Sequence, residues 1–104
     1  ITKQTPLYYS QEEAFEDADF IYAKNWCSYT DYGKIIRTNK NWQITQEKMN
    51  RTNNAKFMHC LPIRRNIVAS DTVLDNAANN LTIQQALNRV YSAQAVMKLL
   101  LENE

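Results

Sequence analysis

A chain of 104 residues has the length of one ordinary domain and leaves no room for two. Hydrophobic residues make up 44% and charged residues 22%, a globular balance that excludes a disordered composition. Lys and Arg total 12 against 11 for Asp and Glu, so a formal net charge of +1 provides no global field to gather nucleic acid or an anionic membrane surface. The longest unbroken apolar run is Phe20-Ile21-Tyr22-Ala23, far too short to span a bilayer. No basic-then-apolar leader opens the sequence, and a reduced, cytoplasmic compartment is the expectation. The two cysteines, Cys27 and Cys60, cannot by themselves make a disulfide framework or a four-ligand zinc site. One Gly and two Pro are few for the turns of a whole domain, a first hint that the chain is a piece of something larger.

Taken in chain order, the elements are short and separated by polar, Asn-rich connections. Leu7-Tyr8-Tyr9 reads as a brief β-like run. Ser10 with Glu13 three residues on is a capping box, which predicts a helix from Gln11 to about Asp17. Phe20–Ala23 is continuously apolar, the pattern of a strand buried on both faces. A second helix is expected over 45–51, and 55–61 is a second buried strand that Pro62 stops. Ser70 or Asp71 caps a helical turn through Leu74. From Leu81, the residues Ile83, Leu87, Val90, Met97 and Leu101 fall on one helical face, flanked by Ala86 and Leu100, and predict a helix of about twenty residues. Strands alternating with helices give an α/β fold with a parallel, Rossmann-like sheet. Two or three strands and one long helix make a thin core, and such a sheet wants neighbours.

The chemistry concentrates in His59-Cys60-Leu61-Pro62-Ile63-Arg64-Arg65-Asn66. This segment sits at the C-terminal end of a parallel strand, where open α/β sheets leave a crevice for ligands. Cys60 as nucleophile with His59 as base is geometrically poor, because neighbouring strand residues point to opposite faces. The alternative for Cys60 is a small buried hydrophobe. Arg64 and Arg65 suit bidentate recognition of a carboxylate or phosphate, or else are ordinary solvated surface arginines.

These residues resemble a known family. His59-Cys60-Leu61-Pro62, followed by Arg64-Arg65-Asn66 and Asp71, is similar to the HCLP segment of the carbamoyltransferases. Glu12-Glu13-Ala14-Phe15-Glu16-Asp17-Ala18-Asp19-Phe20-Ile21-Tyr22 resembles the helix-to-strand passage of that family, and Gln85-Ala86-Leu87-Asn88-Arg89 with Ala95-Val96 resembles its closing helix. The resemblance covers almost the whole chain in order. It departs from the ornithine transcarbamylases after the first strand. There the family carries an Asp and then Ser-Met-Gly against a free α-amino group, whereas this chain reads Lys24-Asn25-Trp26-Cys27-Ser28-Tyr29. A Lys repels an α-ammonium and welcomes a carboxylate, so Lys24 points to the branch that uses an N-acetyl- or N-succinyl-ornithine. A plain surface role for Lys24 at a strand end stays open.

The resemblance implies the following roles. Arg64 and Lys24 bind the acceptor; Cys60 and Leu61 position the carbamoyl and δ-amino groups through backbone atoms. Arg89 polarises the carbamoyl carbonyl or meets its phosphate, its alternative being a structural salt bridge, and His59 hydrogen-bonds the carbamoyl oxygen. Trp26, Tyr29 and Tyr32 either wall the acceptor pocket or simply pack. Residues 1–80 would then belong to the amino-acid (ornithine) binding domain, and 81–104 would form the C-terminal helix that returns to a carbamoyl-phosphate domain. That domain's Ser-Thr-Arg-Thr and His-Pro-x-Gln motifs do not occur in these 104 residues. The expectation is therefore the C-terminal part of a carbamoyltransferase of arginine biosynthesis, a homotrimer when complete and silent as this piece alone. Carbamoyl phosphate and an N-acylornithine are the implied substrates, with no metal or cofactor. The alternatives are an ornithine carbamoyltransferase or a non-catalytic acceptor-binding module. An aspartate transcarbamylase is disfavoured because that group has a different residue in place of Cys60.

Overall fold

The computed structural model describes residues 4–27, 29–34 and 40–103; Ser28 of the run after the first strand lies outside them. Helix α1 spans Gln11–Phe15, with Ser10 in extended conformation as its N-cap and its Oγ accepting the Glu13 N–H at 3.4 Å. Asp17, at φ +56°, turns the chain out of the helix, two residues earlier than the sequence pattern implies. Strand β1 (Phe20–Ala23) pairs in parallel with β2 (Lys56–His59), in the register Phe20 with Lys56 and Ala23 with His59. Thr45 caps α2 (Gln46–Met49), its Oγ1 accepting the Lys48 N–H at 3.4 Å. A 3₁₀ turn, Lys40–Trp42, leads into this segment, and α3 spans Asp71–Leu74 after Ser70. The last element, α4, runs from Thr82 to Glu102.

The core lies on one face of the sheet. Ile21 and Ala23 of β1 and Phe57 of β2 face inward and meet Phe15, Ile44, Met49, Val68, Val73 and Leu74 from the three short helices and their connections. Burial of both faces of β1 was the sequence expectation, and it is wrong. Phe20 and Tyr22 are 62% and 55% exposed, because the pleat sends alternate side chains to opposite faces and the described helices cover only one. Leu7-Tyr8-Tyr9 is not a strand either; its three residues are exposed and form no strand pairing among the described residues. The far edge of β2 is engaged by the approach to α4. Phe57 N–H donates to the Asn79 carbonyl, and the Phe57 carbonyl accepts the Leu81 N–H, both at 2.8 Å. Asn80 then substitutes for a cap, its Oδ1 taking the Thr82 N–H at 3.0 Å while its amide donates to the Leu74 carbonyl.

Among the described residues, helix α4 is anchored only at this end. Thr82 is its one buried residue, and Ile83, Leu87, Val90, Met97 and Leu101 are all about half exposed or more. The apolar face is where the sequence pattern puts it, but no described residue covers it. This helix, the longest described, is not apolar enough to cross a membrane.

Candidate functional site

The register of the sheet fixes what meets at its C-terminal end. Because Ala23 pairs with His59, the next residues along the two strands are Lys24 and Cys60, both exposed at adjacent strand ends. Asn25 bridges the two exits: its side-chain amide donates to the Pro62 carbonyl at 2.9 Å. Lys24 has no hydrogen-bond or ion-pair partner among the described residues.

The segment after β2 turns sharply at Leu61. Its φ is +52°, a left-handed backbone that a branched residue adopts only under constraint, and a cis peptide joins it to Pro62. Strand alternation separates the first two residues of the segment as expected: His59 is 1% exposed and faces the core, whereas Cys60 is exposed. Cys60 is therefore not the small buried hydrophobe that the sequence left open, and the inward position belongs to the histidine. The His59 Nδ1 accepts the Leu61 N–H at 2.8 Å, and its Nε2 is buried without a partner among the described residues. Desolvation holds the imidazole below its ordinary pKa, so the ring is neutral near pH 7.

The two arginines divide sharply. Arg65 reaches Asp71 and Asp75 with its two Nη atoms, each at 2.6 Å. Asn66 completes the clamp, its amide donating to Asp71 Oδ2 at 2.9 Å and its Oδ1 accepting the Asp71 N–H at 3.0 Å. These contacts raise the Arg65 guanidinium pKa further, chiefly through Asp75, and hold the Asp71 carboxyl below its ordinary value, chiefly through Asn66. Arg65 thus fastens the segment to α3 and has no fork left for a ligand. Arg64, half-buried beside it, has a guanidinium with no partner among the described residues.

Other expected site residues stand apart. Arg89 is exposed on α4, and its side chain makes neither a salt bridge nor a hydrogen bond among the described residues. Trp26 packs against the core, while Tyr29 and Tyr32 are almost fully exposed among the described residues. A separate polar cleft between α1 and the 3₁₀ turn is lined by Gln11, Lys40, Trp42 and Lys48. Of its two ammonium groups, that of Lys48 is already occupied: its Nζ donates to Gln11 Oε1 at 2.7 Å and to the carbonyls of Gln43 and Asn41. Among the described residues, no group of three or more His, Cys, Asp or Glu gathers in a metal-binding arrangement. Sequence reasoning missed Asn25 and the Asp71–Asp75 half of the clamp. Both make contacts across long or irregular spacings, and the only hint was an Asn directly after the candidate lysine.

The arrangement offers one unpaired guanidinium, one unpaired ammonium, and between them a sharp backbone turn at the end of a parallel strand. Such a crevice suits an anionic ligand whose reacting group lies against main-chain atoms. Comparison with known proteins bears on the family rather than on these residues. Residues 2–100 match the model of the aspartate/ornithine carbamoyltransferase Asp/Orn binding domain. The chain is 52% identical over 97 residues to an N-succinylornithine carbamoyltransferase of Bacteroides fragilis, covering 91% of this chain and 30% of that protein. It is 40% identical over 95 residues to an N-acetylornithine carbamoyltransferase of Xylella fastidiosa, covering 86% and 28%. Among solved structures, an N-acetyl-L-ornithine transcarbamylase superposes with a TM-score of 0.74 at 33% identity, covering 86% of this chain and 29% of that one. An acetylornithine transcarbamylase complexed with acetylcitrulline gives 0.72 at 35% identity, covering 85% and 28%. The chain thus spans about 30% of the length of the curated relatives it matches.

Proposed function

This chain belongs to the aspartate/ornithine carbamoyltransferase family, and from that premise we propose that its protein carbamoylates an N-acylated L-ornithine. The δ-amine attacks the carbamoyl carbon of carbamoyl phosphate, the nitrogen loses a proton, the bond to the phosphate oxygen breaks, and an N-acylcitrulline and inorganic phosphate leave. This places the reaction in arginine biosynthesis, in the cytoplasm. Lys24 and Arg64 receive the acceptor's carboxylate and acyl end. Main-chain atoms of Cys60 and Leu61 orient the δ-amine and carbamoyl group. Arg89 stabilises the charge that develops on the carbamoyl oxygen. Positioning and fixed cationic charge carry such a reaction.

The observation that carries this reading is a pair of cations, Lys24 at one strand exit and Arg64 on the segment that leaves the other, with no anionic partner among the described residues. A free α-ammonium is repelled at Lys24, and acylation removes that charge. Identity favours the succinyl form as the first acceptor to test, since N-succinylornithine carbamoyltransferases match at 52% and 48% and N-acetylornithine carbamoyltransferases at 38–40%. Residues 1–80 serve as the acceptor-binding body. Helix 81–104 lays its uncovered apolar face against a carbamoyl-phosphate domain, and the complete protein is a homotrimer. The 104 residues alone are catalytically silent.

The test is phosphate release from carbamoyl phosphate by the full-length protein, with ornithine, N-acetylornithine and N-succinylornithine offered separately. Release with one acylated amine supports the proposal and names the acyl group. Release with free ornithine alone overturns the role of Lys24, and binding of an acylated amine without release leaves only an acceptor-binding module.

A further inference from the structure

The turn at Leu61 is held from two sides by side chains that the chemistry above does not use. From within, the buried imidazole of His59 accepts the Leu61 N–H at 2.8 Å. From across the sheet, Asn25 donates to the Pro62 carbonyl at 2.9 Å. We propose that His59 and Asn25 are positioning residues that fix the backbone of residues 60–62, and that His59 acts on the substrate only through Leu61. The inference rests on the carbamoyl-transfer reading for its kinetic arm alone.

The geometry assigns the tautomer. A ring nitrogen that accepts a backbone N–H carries no proton, so the neutral imidazole has its proton on Nε2. The ring is 1% exposed on the core face of β2, opposite to the exposed Cys60, so it is turned away from the strand exit where the substrate would lie. A branched residue at φ +52° persists only where its surroundings over-determine it, and the imidazole supplies that determination at the residue itself. Asn25 follows Lys24 directly and grips the far side of the same turn. Its amide therefore sets the separation between the Lys24 exit and the Arg64 segment, the distance an acceptor must bridge.

Three substitutions at one site separate a strut from a direct contact. Asn places an acceptor where Nδ1 stands, Gln places an amide where Nε2 stands, and Leu offers neither. In the full-length protein, His59→Asn should exceed His59→Leu in kcat/KM by about tenfold, the size of one hydrogen bond, with His59→Gln falling alongside Leu. The reverse order, Gln active and Asn failing, would give Nε2 a substrate contact and overturn the proposal. Ring-nitrogen chemical shifts of the unmodified protein need no variant to fold: an unprotonated Nδ1 with a protonated Nε2 supports the strut, and a proton on Nδ1 refutes it. Hydrogen exchange at the Leu61 amide should quicken by about tenfold in Asn25→Asp, which keeps the size and loses the donor. Unchanged exchange removes Asn25 from the proposal. If no acceptor supports carbamoyl transfer, the functional reading fails while the ring shifts and amide exchange still decide the strut.

Discussion

Two neighbouring stretches of this chain treat the same kind of charge in opposite ways. Along 65–75, every charged group is answered: Arg65 meets Asp71 and Asp75, and Asn66 meets Asp71 twice. Lys24 at one strand exit and Arg64 on the segment that leaves the other have no such partners among the described residues. Evenly distributed surface charge would leave both stretches half-paired. The contrast instead marks one stretch as a fastening and leaves the other free for the acceptor role proposed above, although Arg64 and Arg65 are adjacent and chemically identical.

The largest break in that contrast comes from Arg64→Ala in the full-length protein. Loss of a charge-assisted fork to a bound carboxylate should raise the acceptor's KM on the order of a hundredfold and leave that of carbamoyl phosphate nearly unmoved. Steady-state kinetics with each substrate varied in turn reads the difference; an equal rise in both would dissolve the receptor assignment. Lys24→Ala should act in the same direction but more weakly, by about tenfold, since an ammonium at an exposed strand end works as a solvated point charge. Arg65→Ala should do the opposite, sparing the acceptor's KM and loosening the segment. Its effect has a pH dependence with a definite sign. The Asp71 carboxyl is held below its ordinary value of 3.8, first by Asn66 and then by Arg65, so its contribution is present above that value and lost as pH falls through the lower folded pKa. Removing Arg65 should therefore flatten, without abolishing, the acid limb of a stability–pH curve measured by urea unfolding.

How much of this was legible beforehand follows from the range of each interaction. The Ser10 cap of α1 and the apolar spacing of α4 rest on positions within four residues of one another, and both were readable. The alternation that parts His59 from Cys60 was readable too, but not its phase. Free cysteine is usually the better-buried of the two types, and here the histidine takes the core because its Nδ1 has a backbone donor two residues on. Burial of Phe20, Tyr22 and the α4 stripe could not be read, since apolar periodicity says which face wants cover and not what supplies it. The split between Arg64 and Arg65 depends on α3 returning beside the loop, a tertiary fact that no local pattern carries.

The smallest expected effect probes the strut from the side of stability. Burial depresses the His59 pKa below its ordinary 6.5, so the unfolded chain binds a proton there before the folded one does. Stability is therefore full above that ordinary value and declines as pH drops below it, until the folded pKa is reached and no further change comes from this group. The Asp71 contribution, by contrast, changes only below 3.8, so the two windows do not overlap at their upper ends. His59 is the only histidine in the chain, which lets one substitution isolate its window. In the full-length protein, which contains more than this chain, the comparison is between wild type and His59→Asn. Urea unfolding at closely spaced pH values should show a slope just below 6.5 that the Asn variant lacks, with the carboxylate limb unchanged in both. Identical slopes would mean that the imidazole takes up its proton as readily folded as unfolded. A protonated Nδ1 cannot accept the Leu61 N–H, and the strut would then open under mildly acidic conditions instead of holding through them.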